Sequence, residues 1–520
     1  MISCSASGLS RCYNFLKTSK NVGYQKIIAT KGVRDMLIGR EQEIAALNDL
    51  YQSGQAELVA LYGRRRVGKT FLIDETFAGR ISFRHAGLSP VDEAHTDESR
   101  RKSRMKEQLR HFHRSLAEQG LRDAEVPESW LDAFYLLEDL LKQEADGIKR
   151  LLVFIDEIQW LDTPRAGFMT GLEAFWNGWA CHRHDIMLIV CGSSSSWVLD
   201  KLVNNHGGLY DRVTYQMCLA PFSLRECELY LESNGVALSR YDIVQTYMML
   251  GGIPYYLRYL KRGMSFAQAA DALFFERGAR LRGEFDRLFS SLFSNPEVMK
   301  LIVTSLSEKS RGLTRQELIQ SSGIADSGEL SKQLRALEAG SFIMSYASFG
   351  SGKRQKRYKL ADPFCIFWLR FVRGSEGKST SWVNMSDSGS VNAWRGLAFE
   401  NACWNHIAQL KKALGISGVS TSESLWSKRG GEEGRGAQID LIIERRDNVV
   451  NMCEMKFTSD VFAVDKDYHL TLVRRREMLR ELIPKKAAIH STLVTTYGLK
   501  YNAYSGDFVS TITVDDLFAP

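Results

Sequence analysis

Three short runs of the chain are apolar almost without a break: Glu57-Leu-Val-Ala-Leu-Tyr, Lys149-Arg-Leu-Leu-Val-Phe-Ile and Asp185-Ile-Met-Leu-Ile-Val-Cys. Runs of this length read as buried strands. Between them lie stretches of helical spacing, such as Ile44, Leu47 and Leu50 and the charged segment from about Asp92 to Glu118. Strands alternating with helices predict an α/β fold whose parallel sheet is covered on both faces. After Pro221 the strand-like runs stop, and helices dominate through about residue 295.

The pattern changes again over residues 298–374. Leu313-Thr-Arg-Gln-Glu-Leu opens a helix capped by Thr314, with Glu317 three residues on to complete a capping box. Gly323 makes a turn, and Ser327 to Ala339 forms a second helix. Phe342-Ile-Met-Ser-Tyr and Arg357-Tyr-Lys-Leu flank the loop 350–356 as a hairpin, and helix–turn–helix plus hairpin is a winged helix. Residues 375–390, rich in Gly, Ser and Lys, read as a linker, and a last α/β domain follows from about Val391.

Composition narrows the class. A chain of 520 residues is too long for one ordinary core, and 44% hydrophobic with 25% charged residues is the mixture of a folded globular protein. The net charge of +7 is small against 68 basic and 61 acidic side chains, so it permits contact with nucleic acid without arguing for it. Nine cysteines form no C-x-x-C pair, which points to reduced thiols in a cytoplasmic protein and away from a structural zinc site. No apolar run approaches the roughly 18 residues that cross a bilayer, so no membrane partner is expected. Residues 1–35 are basic and lack the apolar stretch of a signal peptide; a transit peptide fits their composition, but the expected reading is a poorly ordered extension ahead of a domain that starts near Met36.

Candidate chemistry enters at the first strand. Gly63, Arg64, Arg65, Arg66, Val67, Gly68, Lys69 and Thr70 satisfy G-x-x-x-x-G-K-[ST] between an apolar strand and a helix. In such a loop successive backbone N–H groups converge on phosphate oxygens at a helix N-terminus, Lys69 reaches the β and γ phosphates, and the Thr70 hydroxyl ligates Mg2+. Asp156, ending the second strand, is placed to hold that magnesium through water, and Glu157 to orient or deprotonate the attacking water. Ser193 or Ser194, after the third strand, is a candidate for the γ-phosphate or the water, and Arg212 for charge at the transition state. ATP and Mg2+ are the cofactors these residues call for. An arginine acting in trans demands a neighbouring copy, so Arg212 also raises a homo-oligomer.

The series IGRE, YGRRRVGKT, FIDEIQWL, CGSSSS, LAPFSLRE and GGIPYYL, over roughly residues 36–290, resembles the prokaryotic AAA-like, signal-transducing ATPases often called archaeal-type ATPases. The resemblance implies that Gly251-Gly252-Ile253-Pro254 is a helical-lid element abutting nucleotide. It also implies a winged helix and, in one branch, a C-terminal part resembling restriction endonucleases. Asp211-Arg212 departs from the Gly-Arg of many relatives and leaves the arginine's role open. The expected architecture is α/β: an extension over 1–35, a P-loop NTPase core with a parallel sheet over 36–220, a helical lid over 221–297, a winged helix over 298–374, a linker over 375–390, and a PD-(D/E)xK-like α/β domain over 391–520.

The last domain can be read from its own residues. Trp394 to Glu400 starts a helix with Glu400 near its first turns, and Gln438–Glu444 and Val449–Lys456 are strand-like runs joined by Arg446-Asp447-Asn448. If those three residues form the turn, Asp440 faces Glu454, and Lys456 shares the face of Glu454. Two facing carboxylates repel unless a divalent cation sits between them, so Asp440 and Glu454 are metal candidates, Lys456 an activator of water, and Glu400 the upstream acid of a nuclease. A surface hairpin with a salt bridge, and a fold that binds DNA without cutting it, stand beside this reading. Lys353-Arg-Gln-Lys-Arg in the hairpin loop and Arg474-Arg-Arg are candidate phosphate contacts, which makes DNA a candidate partner. Phe364, Phe367, Trp368 and Phe371 are spaced as a helical core face. Two functions follow: an ATPase whose nuclease-like domain binds or cleaves DNA, and a signalling ATPase switch with DNA-binding winged helix and an inert terminal interaction domain.

Overall fold

The computed structural model of the chain describes residues 37–89, 98–145, 149–204, 207–350, 356–376, 381–428 and 436–520. The extension expected over 1–35, Lys353-Arg-Gln of the hairpin loop, and residues 377–380 of the expected linker lie outside them. No helix among the described residues is long and apolar enough to cross a membrane.

The first sheet holds β1 (Glu57–Tyr62), β2 (Phe83–Ala86), β3 (Leu151–Asp156), β4 (Ile186–Gly192) and β5 (Tyr215–Cys218) in the order β2-β3-β4-β1-β5, every pair parallel. The three apolar runs are its central strands. Alternate residues of β1, β3 and β4 point to opposite faces: Val59, Phe154 and Ile189 enter one core, Leu58, Val153 and Leu188 another. β2 and β5 are four-residue edges, with Arg84 and His85 in the first and Tyr215 and Gln216 in the second, too short and mixed to stand out in the sequence.

Helices fill residues 224–307, beginning with Leu224–Ser233 under a capping box from Ser223 and Glu226. A second, small sheet follows, β6 (Leu313–Thr314), β7 (Ile343–Ala347) and β8 (Lys356–Leu360), ordered β6-β8-β7 and antiparallel. Between β6 and β7 lie the helices Arg315–Ser322 and Gly328–Ala339; the capping box of Thr314 and Glu317 is formed, and Gly323 turns the chain at φ 71°.

The third sheet contains β9 (Thr421–Lys428), β10 (Ala437–Arg445), β11 (Val449–Lys456), β12 (Ala488–Thr495) and β13 (Ser510–Thr513) in the order β13-β12-β11-β10-β9. β9, β10 and β11 form an antiparallel meander, and the helix Lys466–Arg480 crosses over so that β12 runs parallel to β11. Asn448 takes φ 62° in the β10–β11 turn, a left-handed conformation that asparagine tolerates.

Two expectations are corrected. The stretch read as a linker is anchored: residues Trp382–Met385 form a helical turn, and Trp382 is fully buried against Phe367 and Trp394 at 5.1 and 5.6 Å between ring centroids. Its small polar residues hid one bulky anchor. The helix carrying Glu400 starts at Gly389 and runs to Asn405, so Glu400 lies well inside it and not in its first turns. One continuous apolar core runs from Leu47 through Met248, Phe274 and Phe367 to Phe518, and the expected aromatic face of Phe364 and Phe367 is part of it.

Candidate functional site

β1, β4 and β3 are neighbours in a parallel sheet, so their C-terminal ends bring the Gly63 loop, Ser193 and Asp156-Glu157 to one crevice, the place where open α/β sheets bind ligands. The loop's glycines are required by conformation. Gly63 has φ 142°, and a Cβ there would meet the Leu219 carbonyl oxygen at 2.4 Å; Gly68 has φ 94° and precedes the helix Lys69–Thr76. Lys69 is buried, its Nζ donating to the carbonyls of Gly63 at 2.9 Å and Arg64 at 3.1 Å. The Thr70 hydroxyl donates to Asp156 Oδ2 at 2.6 Å. A hydroxyl and a carboxylate converging at a helix N-terminus fit a magnesium ion shared with phosphate and water.

Glu157 follows Asp156 at φ 47°. Its Oε2 accepts from the Ser193 hydroxyl at 2.7 Å and from Gln159 Nε2 at 2.5 Å, and Gln159 also donates to Ser193 Oγ at 3.1 Å. Of the two candidate serines, Ser193 joins the site, through Glu157. Gln159 is a member the sequence reading missed; its only signal was its place two residues after Glu157, on the 3₁₀ turn Ile158–Trp160. Arg212 is exposed before β5, with no ion pair among the described residues. Asp211 takes φ 57°, which explains how an aspartate stands where a glycine would be at ease.

Two arginine side chains of the loop, Arg64 and Arg66, are committed to partners elsewhere in the fold. Arg64 is buried in an ion pair with Asp362, over the Phe342 ring at 5.0 Å. Arg66 pairs with buried Glu284, which also accepts from Tyr256 Oη at 3.0 Å, and lies over the Tyr255 ring at 4.3 Å. Val67 is buried in the core and Arg65 is half-buried. Of the eight loop residues expected to bind nucleotide, Arg64, Arg66 and Val67 have only main-chain groups to offer, because their side chains are committed elsewhere.

The C-terminal candidates do come together. Leu441 pairs with Cys453, so Asp440 lies one step on, opposite Glu454. Asp440 Oδ2 accepts from the Met455 N–H at 3.1 Å; Glu454 is fully buried, and its Oε2 takes the Tyr468 hydroxyl at 2.7 Å and the Arg475 guanidinium, with Lys456 Nζ at 4.0 Å. Burial, and then the Asp440 carboxylate, pushes Glu400 up to about 8, against the pull of Lys359 and Lys456. Burial and Asp440 likewise raise Glu454, with Arg475 opposing. The Lys359 ammonium, from β8, is lowered by burial while Glu400 and Asp440 hold it up.

Three carboxylates, Glu400, Asp440 and Glu454, lie with Lys359, Lys456 and Arg475, so protein cations stand beside the pair read as metal ligands. Among the described residues no group of three or more His, Cys, Asp or Glu converges into a metal cage. The described members of the basic stretches are engaged internally: Arg475 on Glu454, Arg476 on Ser491 and the Asp507 carbonyl, Arg474 on the Gly436 carbonyl, Arg357 on Glu317, and Lys356 on Glu338.

A five-stranded parallel sheet, a glycine loop after its first strand and a threonine bonded to the acid that ends a neighbouring strand define a P-loop nucleotide-binding domain. Residues 37–260 match the family described as "ATPase domain predominantly from Archaea". An uncharacterised protein of Methanocaldococcus jannaschii is 24% identical over 413 residues, 78% of this chain and 84% of that one. Among solved structures, a Walker-type ATPase of Pyrococcus abyssi is similar at 19% identity and TM-score 0.45, covering 65% of this chain and 97% of its own. The ORC2 protein of Aeropyrum pernix, in ADPNP–ADP complexes, is similar at 15% identity and TM-score 0.39, covering 66% and 96%.

Proposed function

We propose that residues 36–220 bind ATP with magnesium and hydrolyse it, with 221–297 as a lid. The observation that carries this is the 2.6 Å bond from Thr70 to Asp156 beside the buried Lys69, which assembles the metal side and the phosphate side of such a site. Loop N–H groups bind the β and γ phosphates, and Lys69 adds a positive charge where negative charge grows on the leaving side. Thr70 and, through water, Asp156 would hold a magnesium ion, which when bound would supply positive charge to the phosphate oxygens. Glu157 orients water and takes its proton, and Ser193 and Gln159 fix where its carboxylate stands. Arg212, exposed, is free to act toward a second copy in a homo-oligomer. ATP turnover by Lys69→Ala tests the assignment: hydrolysis is expected to vanish, and unaltered turnover would refute it.

For the terminal part we propose a winged helix over 298–374 and, over 391–520, a restriction-endonuclease-like domain that associates with DNA. A helix, an antiparallel meander and a parallel crossover strand, with Glu400, Asp440, Glu454 and Lys456 gathered, support that reading. The balance of three carboxylates by three protein cations favours the second function, a signalling switch whose terminal domain is catalytically inert. Plasmid cleavage in magnesium and manganese, wild type beside Asp440→Ala, separates the two. Cutting by wild type alone establishes a nuclease; equal inertness of both leaves the switch.

A further inference from the structure

Four consecutive residues, Lys359-Leu-Ala-Asp362, touch both candidate sites. At one end, Asp362 pairs with Arg64 of the phosphate loop, and both side chains are 1% exposed. Arg64 Nε and Nη2 are buried without another partner, so its charge has nowhere else to go. Asp362 is equally committed: its Oδ1 accepts from the Cys365 N–H at 2.7 Å and caps the turn Pro363–Phe367. At the other end Lys359 is buried in β8, where it lines one pocket together with Trp394 and Asn401 and another together with Trp426 and Gln438. Asn401 adjoins Glu400 and Gln438 lies two residues before Asp440 along the chain, and those two carboxylates hold the Lys359 ammonium up against the lowering by burial. The segment between is held by its backbone, Lys359 pairing with Met344 while the N–H groups of Ala361 and Asp362 donate to the Phe342 carbonyl at 2.9 and 3.1 Å. The hairpin is also fixed to the terminal sheet, where the Phe349 N–H donates to the Leu425 carbonyl at 3.0 Å.

A buried charge that loses its partner is expensive, so Asp362 follows Arg64 when the loop shifts. The loop has a reason to shift. Lys69 Nζ bonds the carbonyls of Gly63 and Arg64, and phosphate oxygens compete with those carbonyls for the ammonium. We propose that residues 359–362 are a strut that links nucleotide binding at the phosphate loop to the charge balance of the Glu400–Asp440 cluster, so that a change at either end alters affinity at the other. The proposal rests on the reading of Gly63–Thr70 as the ATP site. By linkage the effect is reciprocal, and typical couplings of this kind amount to about five-fold or more in affinity.

The test is equilibrium binding of a fluorescent ATP analogue to the full chain, for wild type, Lys69→Ala, Lys359→Met, Asp362→Asn and the Lys359→Met/Asp362→Asn double variant, with thermal melts alongside. Lys359 is remote from the loop, yet Lys359→Met is expected to change the dissociation constant by about five-fold or more. The double variant is expected to match Asp362→Asn alone, because the strut is already cut. Lys359→Met within two-fold of wild type, or single effects that simply add in the double variant, overturns the strut. If Lys359→Met melts below the assay temperature, Glu400→Gln perturbs the same cluster without deleting a buried cation and is judged by the same criterion. Wild-type protein that does not bind the analogue, or binds it no better than Lys69→Ala, removes the ATP reading itself, a failure distinct from that of the strut.

Discussion

Glu157 is the residue on which the proposed catalysis and the backbone conformation meet. A left-handed φ of 47° costs a non-glycine residue about 1 kcal/mol or more, and the site holds it there through the hydroxyl of Ser193 and the amide of Gln159 on the same carboxylate oxygen. If Glu157 takes the proton from water, Glu157→Gln keeps the shape and the two donors' surroundings but removes the base. Turnover is then expected to fall by about 10²-fold or more with nucleotide affinity little changed. Steady-state ATPase assays with direct binding check this, and a parallel loss of affinity would place Glu157 in binding instead. Residue identity in this site was largely legible in the sequence because the motif fixes main-chain geometry and adjacent strands do the rest. Side-chain direction was not: Arg64 and Arg66 sit inside the motif, but their partners, Asp362 and Glu284, lie far along the chain and are set by tertiary packing.

At the scale of elements, the turn Gly251-Gly252-Ile253 is where the helix Arg240–Leu250 stops and the short helix Pro254–Leu257 begins. Gly252 has φ 67°, and a Cβ there would meet the Phe222 carbonyl oxygen at 2.2 Å, the same carbonyl-bearing stretch whose N–H bonds the Gly252 carbonyl at 2.8 Å. Gly252→Ala combines a left-handed backbone with a clash against main chain that cannot rotate away. A loss of roughly 2 to 4 kcal/mol is expected. Chemical denaturation measures it, and a variant as stable as wild type would mean that the turn readily rearranges. Elements were legible where one force dominated. The central strands announced themselves by burial on both faces, the helix after Thr314 by its capping box, and the β10–β11 turn by Asn448. β2, with Arg84 and His85 among its four residues, carried no such signal, and the segment around Trp382 hid a helical turn inside a linker composition.

Across the whole molecule, the parts are joined by a continuous core, and one histidine reports on that junction. His406, 1% exposed near the end of the helix Gly389–Asn405, bonds the Ala402 carbonyl through Nδ1 at 2.7 Å and accepts the Leu224 N–H through Nε2 at 2.9 Å. Those partners fix a neutral ring with its proton on Nδ1, because Nε2 must accept. Burial lowers its pKa to about 4, with the bond to Ala402 opposing. A depressed pKa means that the unfolded chain takes up a proton before the folded one does. The stabilisation is therefore whole above the unfolded value near 6.5 and is lost as the pH falls through 4, on the order of 3 kcal/mol when fully expressed. His85, lowered to about 3 by burial and by His111, contributes in the same direction, so wild type alone does not isolate His406. His406→Gln does, since an amide offers a donor to Ala402 and an acceptor to Leu224 without titrating. Thermal melts at pH 7 and pH 4.5 are expected to show a smaller acid shift for His406→Gln than for wild type. Equal shifts would mean that the contact between the helix Leu224–Ser233 and the terminal region is not what acid breaks first.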